Sequence, residues 1–490
     1  MITLVLVCIA LLLLILYAPL KPKNFPPGPP WLPFVGCAPQ LKSLTKKLGF
    51  QHNVFLWLSE RFKSPVVGLR LGSQSVVAVS GYHAVKQIFT REEFEGRPDT
   101  FFIRMRSMGT RKGITCTDGA HWQEQRSFAV RHLRSLGFGK STMECMIRDE
   151  VSRAISQFDQ NIGEPAFVDF AQGVMSVLWE LTAGTKFSDD DPSLGRLLEL
   201  MKRRARSFDM SGGVLSQFPW LRFVAPDSSG FNLLNTVNSE LNAFFMETIR
   251  SHKKSHCSDE HRDLIDAYLT EIEKRKGNPE STFSDDQLVM VVLDMFVAGS
   301  TTTSTTLDFI FLYLALNPRV QEKAFAEISS VIGTQLPPSL AHQSKLPYTG
   351  AVIQEANRLS SIVPIAGPRR ALRDTDLEGY SIPKDTTILI NLWSLHHDSG
   401  HWGDPEEFRP ERFIKKEGVL ESDEWLMPFG LGRRRCLGET LAKSYIFMLV
   451  AAVVQKFVIS TPTFNAIPPS LPGIIASCPK HQLVFKARNS

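Results

Sequence analysis

One segment restricts the fold of this chain more than any other: FSDDQLVMVVLDMFVAGSTTTSTTLDFIFLYLALNP, from Phe283 to Pro318. Ser284 is a strong helix N-cap, and Gln287 three positions on completes the pattern of a capping box. Phe283 and Leu288 fit the flanking hydrophobic staple, and Asp285 and Asp286 suit the positive end of the helix dipole. Asn317-Pro318 is a stop. The spacing predicts a helix of about 33 residues, roughly 50 Å long. It is apolar on every side through Val297, so it must cross the interior of a large domain. Its middle is odd: Ser300 to Thr306 all carry hydroxyls, and such side chains compete for backbone partners.

The rest of the chain can build that interior. Its 490 residues are 43% hydrophobic, and no low-complexity linker or fixed-period repeat divides them. Helical stretches dominate, with a hairpin expected at Val66–Tyr82, a turn and strand at Gly379–Trp393, and a last hairpin in the tail PGIIASCPKHQLVFKAR. The fold class expected is mainly α with small β-sheets. The loop Ser211–Gly230 is unusually apolar and reads as a substrate lid, a membrane contact or a packed loop. Net charge is only +5, with no clustered basic face, which argues against a nucleic-acid partner. Seven scattered cysteines without a CxxC pair suggest neither a zinc site nor a disulfide framework.

The first twenty residues carry no charge and are long enough for one bilayer span, with Lys21 and Lys23 after them. They read as a retained single-pass anchor that leaves the following chain in the cytosol. Residues 21–30 are a proline-rich lead that cannot continue a helix, and a single domain is expected over 31–490.

PFGLGRRRCLGETLAK (Pro428–Lys443) joins a glycine-rich loop, a cysteine and a helix start. A thiolate there is expected to gain from the helix N-terminus and from adjacent arginines, and it suits a metal. The segment carries F-x-x-G-x-R-x-C-x-G at Phe429, Gly432, Arg434, Cys436 and Gly438, and so resembles the haem-thiolate signature of the cytochrome P-450 monooxygenases. Further similarity spans the chain. EANR supplies Glu355 and Arg358, and FRPERF supplies Arg412, which together resemble the family's buried charge cluster. WQEQR places Trp122 and Arg126 on one helix face, and GRP, GPRRALRD and the cysteine loop supply Arg97, Arg369 and Arg434. In the family such residues donate to the haem propionates. The proline lead and TREEFEGRPD resemble the large microsomal animal clan of drug- and hormone-metabolising enzymes, with some likeness to insect isoprenoid-hormone enzymes such as methyl farnesoate epoxidases.

The resemblance implies a fold with haem b between the long central helix and the cysteine loop, and Cys436 as axial thiolate on iron. It implies an oxidoreductase at the endoplasmic reticulum membrane that uses O₂ and electrons from NADPH. These arrive through NADPH–cytochrome P-450 reductase or a cytochrome b-type donor, and oxidise an apolar small molecule by hydroxylation or epoxidation. Arg131, Arg134, Lys140, Arg433, Arg435 and Lys443 are candidates for docking the acidic donor. In the central helix, Ala298, Gly299, Ser300, Thr301, Thr302 and Thr303 stand where the family has A/G-G-x-D/E-T-T/S. Thr302 would orient water, and Gly299 would let the backbone approach bound oxygen. Thr301 replaces the usual acid, which leaves Asp294, two turns earlier, as a substitute through water or as a purely structural carboxylate. That replacement keeps open a haem-thiolate isomerase or dehydratase, and beyond it a non-catalytic haem or ligand-binding protein. Phe101, Phe102, Phe208, Phe296, Val363, Ile365 and Ile474 are the apolar residues expected around the substrate.

Overall fold

A computed structural model describes residues 21–187, 191–207, 215, 218–257, 260–473 and 475–488; the anchor segment lies outside them. The central helix spans Asp285–Leu316 and is buried along most of its length. The Ser284 hydroxyl accepts from the Gln287 N–H at 3.2 Å, as a cap should. The reciprocal half of the capping box is not made. The Gln287 side chain instead accepts from the Gly113 N–H at 3.0 Å and donates to the Gly113 carbonyl at 3.2 Å. The buried Gly113 N–H, which needs an acceptor, outcompetes the local cap.

Helices Ala171–Ala183, Pro347–Ser360 and Glu439–Lys456 share one hydrophobic core with the central helix. The helix Glu439–Lys456 is apolar all round, which is why it sits inside rather than on the surface. Gly299 faces Leu178 of the first of these helices: a Cβ there would meet Leu178 Cδ1 at 2.6 Å. The expected opening toward bound oxygen is therefore replaced by a helix–helix contact.

A four-stranded sheet lies beside this helical body. Strands β1 (Val66–Leu71) and β2 (Gln74–Val79) form the expected hairpin, and β3 (Ile365–Arg370) is the other edge of the sheet. Two short strands, β4 (Thr375–Leu377) and β5 (Tyr380–Ile382), make a separate ribbon. Strand β6 (Thr387–Asn391) runs parallel to β2 and antiparallel to β3, giving the order β1-β2-β6-β3. The β3–β6 register shifts between Ala366 and Arg369, a bulge at Gly367-Pro368. Among the described residues the tail makes only an isolated antiparallel bridge of its own, Leu471 to Ser477. Its strand β8 (Val484–Ala487) pairs with β7 (Phe457–Ser460), which follows the Glu439–Lys456 helix directly. The proline-rich lead packs against the sheet. Phe25 is buried, Gly68 donates to the Pro27 carbonyl at 2.8 Å, and the Phe25 and Trp31 rings meet edge-on at 5.6 Å.

Behind this core sits a charge network. Arg358 grips Glu355 with two bonds of 2.7 and 2.9 Å, and Arg412 reaches the same carboxylate at 3.0 Å. The spare guanidinium hydrogens donate to the carbonyls of His396, Glu407, Trp402 and Asp404, and the Arg409 N–H donates to Glu355. All three charged side chains are buried and every charge is answered. Removing one partner of such a network leaves uncompensated charge. Glu355→Ala is expected to cost about 3–5 kcal/mol of stability, read by denaturant unfolding; a loss within experimental error would contradict the assignment. For Gly299, a double-mutant cycle separates packing from chemistry. Gly299→Ala is expected to be at least about 1 kcal/mol more favourable in a Leu178→Ala background than in the unaltered chain. Equal effects in the two backgrounds would show that the two residues do not touch.

Candidate active site

The cysteine loop turns back on itself before the Glu439–Lys456 helix. The Cys436 N–H donates to the Phe429 carbonyl at 3.0 Å. Gly432 has φ +69°, and a Cβ there would meet the Phe89 carbonyl oxygen at 2.1 Å, so only glycine fits. Gly438 is the helix N-cap residue. The backbone N–H groups of Gly438 and Glu439 serve the Cys436 sulfur. Contrary to the expectation of a depressed pKa, burial pushes the Cys436 thiol up and outweighs those N–H groups and Arg126. The neighbouring arginines are already committed: Arg433 pairs with Glu95 at 3.1 Å, and Arg435 pairs with Glu439.

Cys436 opens into a cavity of about 880 Å³. Phe429 also lines it, together with Arg97, Arg369 and Arg434. Arg97 donates to the carbonyls of Gly367 (2.8 Å) and Pro368 (2.7 Å), on the bulge of β3. That bulge re-aims the next residue, Arg369, into the cavity. Arg370 is instead spent on Asp118 (2.7 Å) and Asp385 (2.5 Å). Arg434 stacks on Trp122, its guanidinium carbon 3.7 Å from the ring centroid. Burial, then Arg97 and Arg434, push Arg369 down to about 8; burial and Arg97 push Arg434 down to about 9. Three guanidiniums thus crowd together with no acid in the cavity lining. Arg434 Nε and Nη2 and Arg97 Nε are buried without hydrogen-bond partners. Buried donors of this kind call for an anion. A haem, with two carboxylates and an iron that accepts a thiolate, fits both halves of this site.

Trp122 and Arg126 lie on the helix Gly119–Ser135, as the spacing predicts. Arg126 donates to the Arg435 carbonyl at 2.6 Å and lines the opposite, outer concavity, of about 1330 Å³. Arg131, Arg134, Lys140, Arg433, Arg435 and Lys443 all line that same concavity.

On the far wall of the cavity stand Ala298, Thr301, Thr302, Thr303 and Thr306. Thr302 Oγ1 donates to the Ala298 carbonyl at 2.7 Å, which fixes its rotamer and leaves its lone pairs for an incoming donor. Asp294 does not line the cavity. Its Oδ2 accepts from the N–H groups of Ile114 (2.7 Å) and Thr115 (2.8 Å), tying the 113–115 loop to the central helix. Of the two roles open to it, the structural one is realised, and burial raises its pKa. Val363 and Ile365 line the cavity as expected. Phe296 packs instead into the core against Trp179 and Phe245, and Phe101 stacks on Phe231. The Phe102 side chain, Phe208 and Ile474 lie outside the described residues. Among the cavity residues that escaped sequence reasoning are two further arginines, Arg106 and Arg204. Arg204 belongs to MKRRARS, which by composition alone is an ordinary solvated basic helix face.

Comparison with known proteins agrees with this geometry. The family model described as Cytochrome P450 matches residues 26–486. A Drosophila melanogaster protein named probable cytochrome P450 305a1 is 46% identical over 481 residues, covering 96% of this chain and 95% of that protein. A Bombyx mori farnesoate epoxidase is 36% identical over 494 residues, covering 100% and 99%. The rabbit (Oryctolagus cuniculus) cytochrome P450 2J1 is 35% identical over 481 residues, covering 94% and 91%. With a cysteine loop, an arginine-lined cavity and a hydroxyl-bearing central helix in one site, this chain belongs to the cytochrome P450 family of haem-thiolate monooxygenases.

Proposed function

We propose that this chain is held at the endoplasmic reticulum membrane by residues 1–20, with its catalytic domain in the cytosol. There it inserts one oxygen of O₂ into an apolar substrate, by hydroxylation or epoxidation. The observation that carries the reading is the single cavity shared by Cys436, the three arginines and an apolar wall ending on Thr302. Arg97, Arg369 and Arg434 would hold the haem propionates, and Cys436 would ligate the iron. Trp122 backs Arg434, and Arg126 ties the helix Gly119–Ser135 to the cysteine loop. A haem bound there supplies O₂ binding and O–O cleavage, which an axial thiolate favours.

The chain's own task is to exclude bulk water and deliver protons. The described cavity lining holds no Asp or Glu, and Asp294 is occupied elsewhere. Delivery therefore rests on Thr302, with neighbouring hydroxyls and ordered water. The basic outer concavity supports docking of an acidic electron donor, NADPH–cytochrome P450 reductase or a cytochrome b-type protein. Trp220, Phe223 and Val224, between 57% and 73% exposed, support a second membrane contact in the apolar loop before Gly230. Similarity to the Bombyx mori farnesoate epoxidase supports epoxidation of a juvenile-hormone-type isoprenoid. Thr301 in the usual acid position favours one second reading, an isomerase or dehydratase that needs neither O₂ nor reductase; dependence of turnover on both discriminates.

Thr302→Ala tests the proton relay. Product per NADPH consumed is expected to fall by roughly 10²-fold, the lower range of what positioned proton transfer contributes, with the electrons appearing as peroxide or water. Unchanged coupling of NADPH to product would refute the role given to Thr302.

A further inference from the structure

The cavity reaches from Cys436 to the hairpin β1–β2, along one face of the four-stranded sheet. On that face Leu71, Val76, Ile365 and Leu389 belong to the small core against which the helix Gln51–Phe62 packs. The same four side chains also line the cavity, so part of the face is covered by no helix. Two carboxamides stand where the covered part gives way to the cavity. Gln51 is the first residue of that helix, and the Asn391 side chain fixes the helix start by donating to the His52 carbonyl at 3.1 Å. Gln74 pairs with Leu71 across the turn Gly72-Ser73. Both glutamines line the cavity and both are half-buried. Neither side chain has a hydrogen-bond partner among the described residues.

The sheet register measures how far this end lies from the cysteine. Val77 of β2 is level with Ile388 of β6, and Ile388 with Arg369 of β3, beside the cysteine loop. Gln74 comes before Val77 by three residues, and β6 separates its strand from β3. At about 3.3 Å per residue and about 4.8 Å per strand, the Gln74 Cα lies roughly 14 Å from that of Arg369. An extended chain advances roughly 1.2 Å per bond, so about a dozen bonds cover that span. Between the two ends the wall is the apolar sheet face. A carboxamide offers two donor hydrogens and an acceptor oxygen, without charge. A site that offers such groups beside an apolar wall favours a ligand that carries one matching polar atom over a ligand that lacks it.

We propose that Gln51 and Gln74 receive the uncharged, oxygen-bearing head of an elongated apolar substrate, an ester or an alcohol. Its hydrocarbon chain lies along the uncovered sheet face and brings the tail toward Cys436. The proposal rests on the cavity being the substrate site of the oxygenase read above. It narrows the substrate class to long chains with a polar group at one end, and it orients them head outward. Gln51 and Gln74 are thereby specificity-determining residues.

The test is equilibrium dialysis of the purified haem-loaded full chain with labelled methyl dodecanoate, 1-tetradecanol and tetradecane, three probes of similar length. Gln51→Leu and Gln74→Leu are each expected to weaken the ester and the alcohol about three- to tenfold, the worth of one neutral hydrogen bond. Tetradecane has no head, and its affinity should move less than about twofold. Gln51→Glu and Gln74→Glu keep the shape and the acceptor but lose the donor. They should weaken the ester, which only accepts, and spare the alcohol, which can donate. A packing role would instead move all three probes together. Equal weakening of tetradecane and the ester, unchanged affinities in both leucine variants, equal loss of ester and alcohol in the glutamate variants, or no binding of any probe would overturn the proposal. Dialysis reads the ligand directly. Head-dependent binding without NADPH- and O₂-dependent turnover would therefore sink the monooxygenase reading and leave this one standing.

Discussion

The structure depends on positive charge that the protein itself does not neutralise. Arg97, Arg369 and Arg434 are brought together by a β-bulge, by two backbone carbonyls and by the Trp122 ring. Their mutual repulsion and burial depress their basicity, and several of their N–H groups point at no partner. The Glu355–Arg358–Arg412 network in the same molecule shows the opposite solution, in which each guanidinium meets a carboxylate and carbonyls. The contrast separates a cluster that braces the fold from one that waits for a ligand. A fold that buries three cations beside a cysteine is completed by a group carrying two carboxylates and a thiophilic metal.

Cys436 follows the same logic. Its loop offers backbone N–H groups, yet burial pushes the thiol up, and the arginines on either side are paired with Glu95 and Glu439. Metal ligation requires the thiolate, so binding and deprotonation occur together. The loop supplies geometry, and the metal supplies most of the charge stabilisation. On the outer side, the cations left over from these pairs line the concavity where a redox partner would approach.

Much of this was legible in the sequence, for identifiable reasons. The central helix announced itself through a cap, an apolar stretch and a proline stop, all local signals. The cysteine loop and the Glu355, Arg358 and Arg412 triad are dense in residue types with few alternative uses. What stayed hidden depended on partners far along the chain. Gln287 abandons its cap for Gly113, Asp294 is claimed by Ile114 and Thr115, and Gly299 turns toward Leu178. Rotation of a helix that is apolar all round is set by its neighbours, because no amphipathic stripe records it. The same reason sent Phe296 into the core, whereas Arg204 stayed hidden in a basic run because its partners Asn238 and Arg106 lie far along the chain.

The most direct measurement is the reduced carbon monoxide difference spectrum of the purified full chain beside Cys436→Ser. The account predicts the long-wavelength Soret band of a thiolate-ligated ferrous haem in the unaltered protein, and its loss in the variant. A folded protein that takes up no haem, or a band that survives Cys436→Ser unchanged, would contradict it.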